Sequence, residues 1–225
     1  MASTILTPPK PKAPPESTGG GGNGLGLEGF PRHWGSPEWS VPPRAYRTGM
    51  WMGLAGITMV FAAFTSALVV RKGMGSDWAP TTLPPILYLN TVVLLASSLT
   101  LELSRRSFGR SEQAEGSEGR FLGWWYATLV LGGAFIAGQL VAWRQLSALG
   151  VYLSTNPSSS FFYLLTAAHG LHLLGGIAAL AYVALRARGG RFVIGKRTAV
   201  DLTALYWHFM DGLWIYLLFL LVTRL

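Results

Sequence analysis

Five apolar blocks follow one another along the chain, at residues 48–70, 83–101, 121–143, 161–185 and 202–222, and Asp211 is the one carboxylate or full charge inside any of them. Each is close to the ~20 residues that an α-helix needs to cross about 30 Å of hydrocarbon. A bilayer offers no water to unpaired backbone N–H and C=O groups, so spans of this length are helices and not strands. The pattern therefore predicts an all-α, polytopic membrane bundle of five transmembrane helices. Local punctuation agrees. Pro84 and Pro85 fall in the first turn of the second span, where a missing N–H costs nothing. Asn156, Ser158, Ser159 and Ser160 precede the fourth as capping candidates. Gly49 and Gly53, and Ala134 and Gly138, are small pairs four apart, a spacing that lets helix backbones approach.

Residues 1–45 are rich in Pro and Gly and bury too little apolar surface to offset ordering, so they read as a disordered tail. Lys10 and Lys12 are followed by prolines and glycines where a cleavable leader would carry an apolar core. Trp34 and Trp39 in this stretch read as loop aromatics. From residue 46 onward the chain reads as a single membrane domain.

The connections carry the orientation. With the N-terminus in the cytoplasm, fourteen Lys and Arg lie inside, in the tail and in the loops after spans two and four. Only Arg71, Lys72, Arg144 and Arg224 lie outside. That bias places the N-terminus in the cytoplasm and the C-terminus outside. The acidic residues Glu112, Glu115 and Glu118 read as a solvated loop.

Composition narrows the function classes. Of 225 residues, 50% are hydrophobic and only 12% charged, against roughly 25% charged in soluble domains. The net charge of +8 sits between apolar blocks and not along one basic face, which argues for a membrane and against nucleic acid. The absence of cysteine excludes disulfides, thiolate metal sites, iron–sulfur clusters and cysteine nucleophiles.

Chemistry inside the membrane concentrates in the last two spans: His169 and His172, then His208 and Asp211. Each pair is spaced i, i+3, on one helix face, and the two spans are sequential and antiparallel. A rise of 1.5 Å per residue puts His172 roughly 20 Å, and Asp211 roughly 14 Å, from the inner ends of their spans. This brings the two within reach of each other, with His208 nearer the cytoplasm. An ionised carboxylate at the bilayer centre costs ~2.5–3.5 kcal/mol, so Asp211 should face the bundle and hold a partner. Three readings of this interhelical cluster compete. A haem or metal site would need further ligands on facing helices, and spans one to three offer none. A proton relay suits intramembrane His and Asp. A hydrogen-bonded clasp, worth about 0.6–2 kcal/mol per contact, is the default. Tyr206 and Trp207 are expected near the inner interface, and Glu102, Arg105 and Arg106 mark the inner end of span two, where they snorkel or hold a lipid headgroup.

Span four reads Ala167-Ala168-His169-Gly170-Leu171-His172-Leu173-Leu174-Gly175, and span five reads Tyr206-Trp207-His208-Phe209-Met210-Asp211-Gly212-Leu213-Trp214. In this order, separated by one basic loop, the two strings resemble the signature segments of subunit III of the haem-copper respiratory oxidases. Weaker echoes extend from Arg47-Thr48-Gly49-Met50 through Leu89-Asn90-Thr91 and Leu94-Leu95-Ala96-Ser97 to Gln139 and Asp201. Five spans are similar to the short bacterial form of that family. The chain departs from it at Gly56 and Ile57, where members often carry Ser-Glu, and at Ala142, where they carry Glu, so no role of those carboxylates transfers.

The resemblance implies an accessory subunit without cofactor, catalytic residue or metal of its own, with haem and copper in its partners. It implies packing against oxidase subunits I and II in a bacterial cell membrane, binding of phospholipids, and support of proton uptake during dioxygen reduction. Rival readings are the subunit III-like protein of a nitric oxide reductase, a small proton-coupled transporter using the His/Asp cluster, and an independent di-haem membrane protein.

Overall fold

Five long helices account for nearly every residue that the computed structural model describes, namely 43–74, 78, 83–111, 117–188 and 196–224. They are α1 (Pro43–Met74), α2 (Ile86–Ser111), α3 (Ser117–Ala148), α4 (Pro157–Arg188) and α5 (Lys196–Arg224). All five are long and apolar enough to cross a membrane. Residues 1–42, with Trp34 and Trp39, lie outside the described residues, as do Glu112, Glu115 and Arg191.

The helices outrun the apolar blocks. A helix of 32 residues, such as α1 or α4, is roughly 48 Å long, well beyond the hydrocarbon thickness. The extra turns carry the Arg and Lys that hydropathy sets apart from the spans, because a helix continues while its backbone bonds hold and long cationic side chains reach polar surroundings. At the start of α2 the difference has the other sign. The helix begins at Ile86, and Pro84 and Pro85 form the turn ahead of it, their carbonyls accepting from Leu87 and Tyr88 N–H at 3.1 Å. Proline supplies acceptors there and its missing donor is not needed.

α4 is capped as its sequence suggests. The Asn156 side-chain oxygen accepts from the Ser159 N–H at 2.8 Å and from the Ser158 hydroxyl at 2.7 Å, while the Asn156 N–H donates to Ser159 Oγ at 3.3 Å. Asn156→Ala is expected to lower stability by about 1 kcal/mol, measured by equilibrium unfolding in mixed detergent micelles. At the other end of this connection Gly150 adopts φ +77° and closes α3, with Val151 N–H donating to Leu146 O at 3.0 Å.

Helices α2, α3, α4 and α5 form a ring in which each touches the next and α5 closes on α2, while α1 lies outside against α4 and α5. Neighbours in the ring are antiparallel. Ser104 near the end of α2 donates to Phe121 O near the start of α3 at 2.9 Å, and Trp125 on α3 donates to Leu180 O late in α4. Arg105 pairs with Asp201 near the start of α5. One end of the bundle thus gathers Arg47, Arg105, Arg106, Arg120, Arg186 and Arg197, and is called the basic end below. At the opposite end Lys72 Nζ donates to Arg224 O at 2.7 Å.

Lipid tails are as apolar as leucine, so helices associate here through close fit and hydrogen bonds and not through hydrophobic transfer. The seams show this. α1 buries Leu54, Phe61 and Leu68, a single row at intervals of seven, and leaves Met52 and Met59 about 70% exposed. α5 buries Val200, Ala204, Trp207, Asp211, Trp214, Leu217 and Leu221, a full inward stripe. Gly138 lets α3 approach α2, for a Cβ there would collide with Asn90. Gly49 and Gly53 do not serve this way: both look onto open space.

Candidate functional site

Around α5, two tryptophans bridge to α2. Trp207 Nε1 donates to Ser97 Oγ at 3.0 Å, and Trp214 Nε1 donates to Thr91 Oγ1 at 3.0 Å. Each hydroxyl in turn donates to its own helix, Ser97 to Leu94 O at 2.6 Å and Thr91 to Leu87 O at 2.8 Å. A hydroxyl both accepts and donates, so these links leave no polar atom of the pair unmatched. Trp207, expected near the inner interface, is fully enclosed by the bundle. Its ring fills the centre of the ring of helices, where Gly132 on α3 and Gly176 on α4 make room: a Cβ at either would stand 2.7 Å and 3.2 Å from it. Hydropathy reports a residue's depth along the membrane normal and not its azimuth, and azimuth is what separates Trp207 from an interfacial tryptophan. Tyr206 is half-buried and donates through its hydroxyl to His172 O at 2.8 Å, tying α5 to α4.

The four ionisable residues of the last two spans make no hydrogen bonds to one another. His169 is fully buried between the rings of Phe135 (6.0 Å between centroids) and Trp214 (5.1 Å), and neither of its nitrogens has a hydrogen-bond partner. His172 turns toward α1, its ring 5.7 Å from Phe61 and its Nδ1 2.7 Å from Ala168 O. The reason is rotational: residues i and i+3 on a helix differ by about 60°. On α4, which has α1, α3 and α5 as neighbours, that angle directs the two histidines to different helices.

On α5 the same spacing keeps His208 and Asp211 beside one residue of α2. His208 Nδ1 lies 2.5 Å from Ser98 Oγ, and the Ser98 hydroxyl also flanks the Asp211 carboxyl without closing a bond of full geometry. Asp211 is 4% exposed. Ser98 escaped the sequence reading, as did the role of its neighbours. The signal that would have found them is the recurrence of hydroxyls seven apart on α2, Thr91 with Ser98 and Ser97 with Ser104, which returns them to the same two rows.

At the basic end, Glu102 accepts from Arg106 at 2.9 Å and from Arg105 at 3.5 Å, and Arg105 Nε donates to Asp201 Oδ1 at 2.8 Å. Exposed pairs of this kind hold position more than they stabilise, at roughly 0–1 kcal/mol each. They border a groove of about 300 Å³ between α1, α2 and α5, lined by Arg47, Arg105, Thr198, Asp201 and His208 among others. The groove exists because α1 and α2 do not touch each other and α5 forms its floor.

Residues 47–223 match the family model described as cytochrome c oxidase subunit III. This chain belongs to the cytochrome c oxidase subunit III family. Among its relatives, a protein of Nocardia farcinica named "Probable cytochrome c oxidase subunit 3" is 31% identical over 179 residues, covering 77% of this chain and 85% of that one. One of Mycobacterium bovis with the same name is 30% identical over 177 residues, with the same coverage. The "Cytochrome c oxidase subunit 3" of Thermostichus vulcanus is 29% identical over 177 residues, covering 77% and 84%. These matches make the chain a subunit of an oxidoreductase complex, a haem-copper oxidase, and a multi-pass membrane protein associated with other oxidase subunits. They favour that reading over the nitric oxide reductase and transporter alternatives. Among the described residues of this subunit III, no three His, Asp or Glu gather to hold a metal ion. Ala142 is fully buried, and Gly56 faces open space beside the half-buried Ile57.

Proposed function

We propose that this subunit III is a cofactor-free accessory subunit, acting through contact with subunits I and II of an oxidase in a bacterial cell membrane. It sustains assembly and proton uptake while its partners, which carry the haem and copper, reduce dioxygen. Its basic end faces the cytoplasm, in keeping with fourteen Lys and Arg on that side against four on the other. That end also attracts anionic phospholipid, each cation near such a surface being worth about 1 kcal/mol.

The observation that carries this reading is how the signature residues are occupied. Tyr206, Trp207 and Trp214 are engaged in bonds from α5 to α4 and α2, and His169 is enclosed by aromatic rings. Residues committed in this way hold helices in register and leave the lipid-facing sides of α1, α2 and α3 for partners and lipid.

The test is affinity purification of the tagged chain in mild detergent, with mass spectrometry and an optical spectrum of the eluate. Co-elution with subunits I and II, with all haem assigned to their fraction, is expected. A haem-free chain eluting alone would overturn the accessory role, and a Soret band in the isolated chain would overturn its lack of a cofactor.

A further inference from the structure

We propose that His208 and Ser98 form a proton-transfer path joining the groove at the basic end to the buried carboxyl of Asp211, which acts as an internal proton-binding site. The path goes beyond the accessory role above and does not depend on which subunits the chain contacts.

Three features support it. The first is the sealed acceptor. Asp211 is 4% exposed, and neither carboxyl oxygen has a hydrogen-bond partner. An enclosed carboxyl gains or loses its proton only along a chain of groups able to pass one, since an isolated ion does not cross apolar surroundings. The second is the entrance. His208 lines the groove, is half-buried, and engages Ser98 through Nδ1, which leaves Nε2 as the ring nitrogen for groove water. The third is the link: the Ser98 hydroxyl is 2.5 Å from His208 Nδ1 and is the side-chain group that acts on the Asp211 carboxyl from α2, close to it without a closed hydrogen bond.

The chemistry balances with neutral relays. A proton from groove water binds His208 Nε2. The ring releases its Nδ1 proton to Ser98 Oγ, and the serine passes its own hydroxyl proton to an Asp211 carboxylate oxygen, leaving a carboxylic acid. One proton has moved, and the imidazole has exchanged one neutral tautomer for the other. Return of the proton by the same steps resets it. Imidazole and hydroxyl suit this role because each accepts at one position and donates at another.

The charged and titratable groups around the path are few. His208 faces Glu102 and Arg105 from α2, and shares the groove with Arg47 from α1 and Asp201 from its own helix. From α4 the titratable groups of the span's interior are His169 and His172, and neither bonds to Asp211. The inner terminus of the path is therefore a single acid with one hydroxyl beside it.

Infrared spectroscopy tests this in whatever assembly the tagged chain purifies with, so a failure of the accessory reading leaves the experiment intact. The difference between wild type and Asp211→Asn isolates the carboxylic-acid C=O stretch of Asp211. On transfer to D2O that band is expected to shift promptly. In Ser98→Ala its shift slows by about a hundredfold, the low end of what a positioned proton carrier supplies, with retention in the complex unchanged, and Ser98→Thr restores the rate. A purely structural Ser98 would leave the exchange rate untouched. Equal exchange in wild type and Ser98→Ala, or no Asp211 acid band at any pH at which the protein is stable, would overturn the proposal.

Discussion

Trp207→Ala is expected to be among the most destabilising substitutions in the chain, costing about 3–5 kcal/mol. Trp207 is fully buried and reaches three other helices: α2 through Ser97, α3 at Gly132 and α4 at Gly176. The α3 and α5 backbones are not neighbours in the ring, so this side chain fills the space between them. Truncation leaves a cavity bordered by glycines, which have no side chains with which to close it. It also strands the Ser97 hydroxyl without its donor. Equilibrium unfolding in mixed micelles reads the loss. Trp207→Phe separates the two contributions: it keeps most of the volume and drops one interhelical hydrogen bond, worth about 0.6 kcal/mol and at most about 1.7. A cost below about 1 kcal/mol for the alanine variant would mean that α3 and α4 close over the gap, and that the bundle does not rest on this contact.

The second large effect is expected at Gly138, from added volume. A Cβ at this position runs into the side-chain amide of Asn90, whose Nδ2 donates to Phe135 O at 3.5 Å across the α2–α3 seam. Asn90 is 3% exposed, so the amide has no free space to retreat to. Gly138→Ala should cost about 1–3 kcal/mol, as overpacking of a close-fitted core does, even though alanine is the better helix former by about 1 kcal/mol. A double-mutant cycle gives the sharper test. Asn90→Ala alone loses its bond, but combined with Gly138→Ala it removes the collision, so the pair should cost less than the sum of the singles. Strict additivity would show that the two residues do not oppose each other.

Much of the architecture was legible in the sequence because the bilayer leaves few choices. Five apolar blocks become five helices, and Asn156 behaves as the cap of α4. The family was legible too, since the His169–His172 and Tyr206–Trp214 strings lie inside the match over residues 47–223. Helix ends were less so: hydropathy marks where charge begins, whereas the backbone bonds of α2 run on through Glu102, Arg105 and Arg106 to Ser111.

By itself, then, the sequence determined the number of helices, their membrane character and the family. Each of these follows from composition within a window of about twenty residues, or from a string of neighbours. Only the tertiary structure decided which residues meet. It sent His169 to Phe135 and Trp214 and His172 to Phe61, drew Trp207 into the centre, and set Ser98 against His208. Those outcomes depend on how each helix is rotated about its axis. In a lipid solvent that rotation is set by fit among glycines, rings and hydroxyls on different helices, and not by a hydrophobic stripe that one helix displays alone.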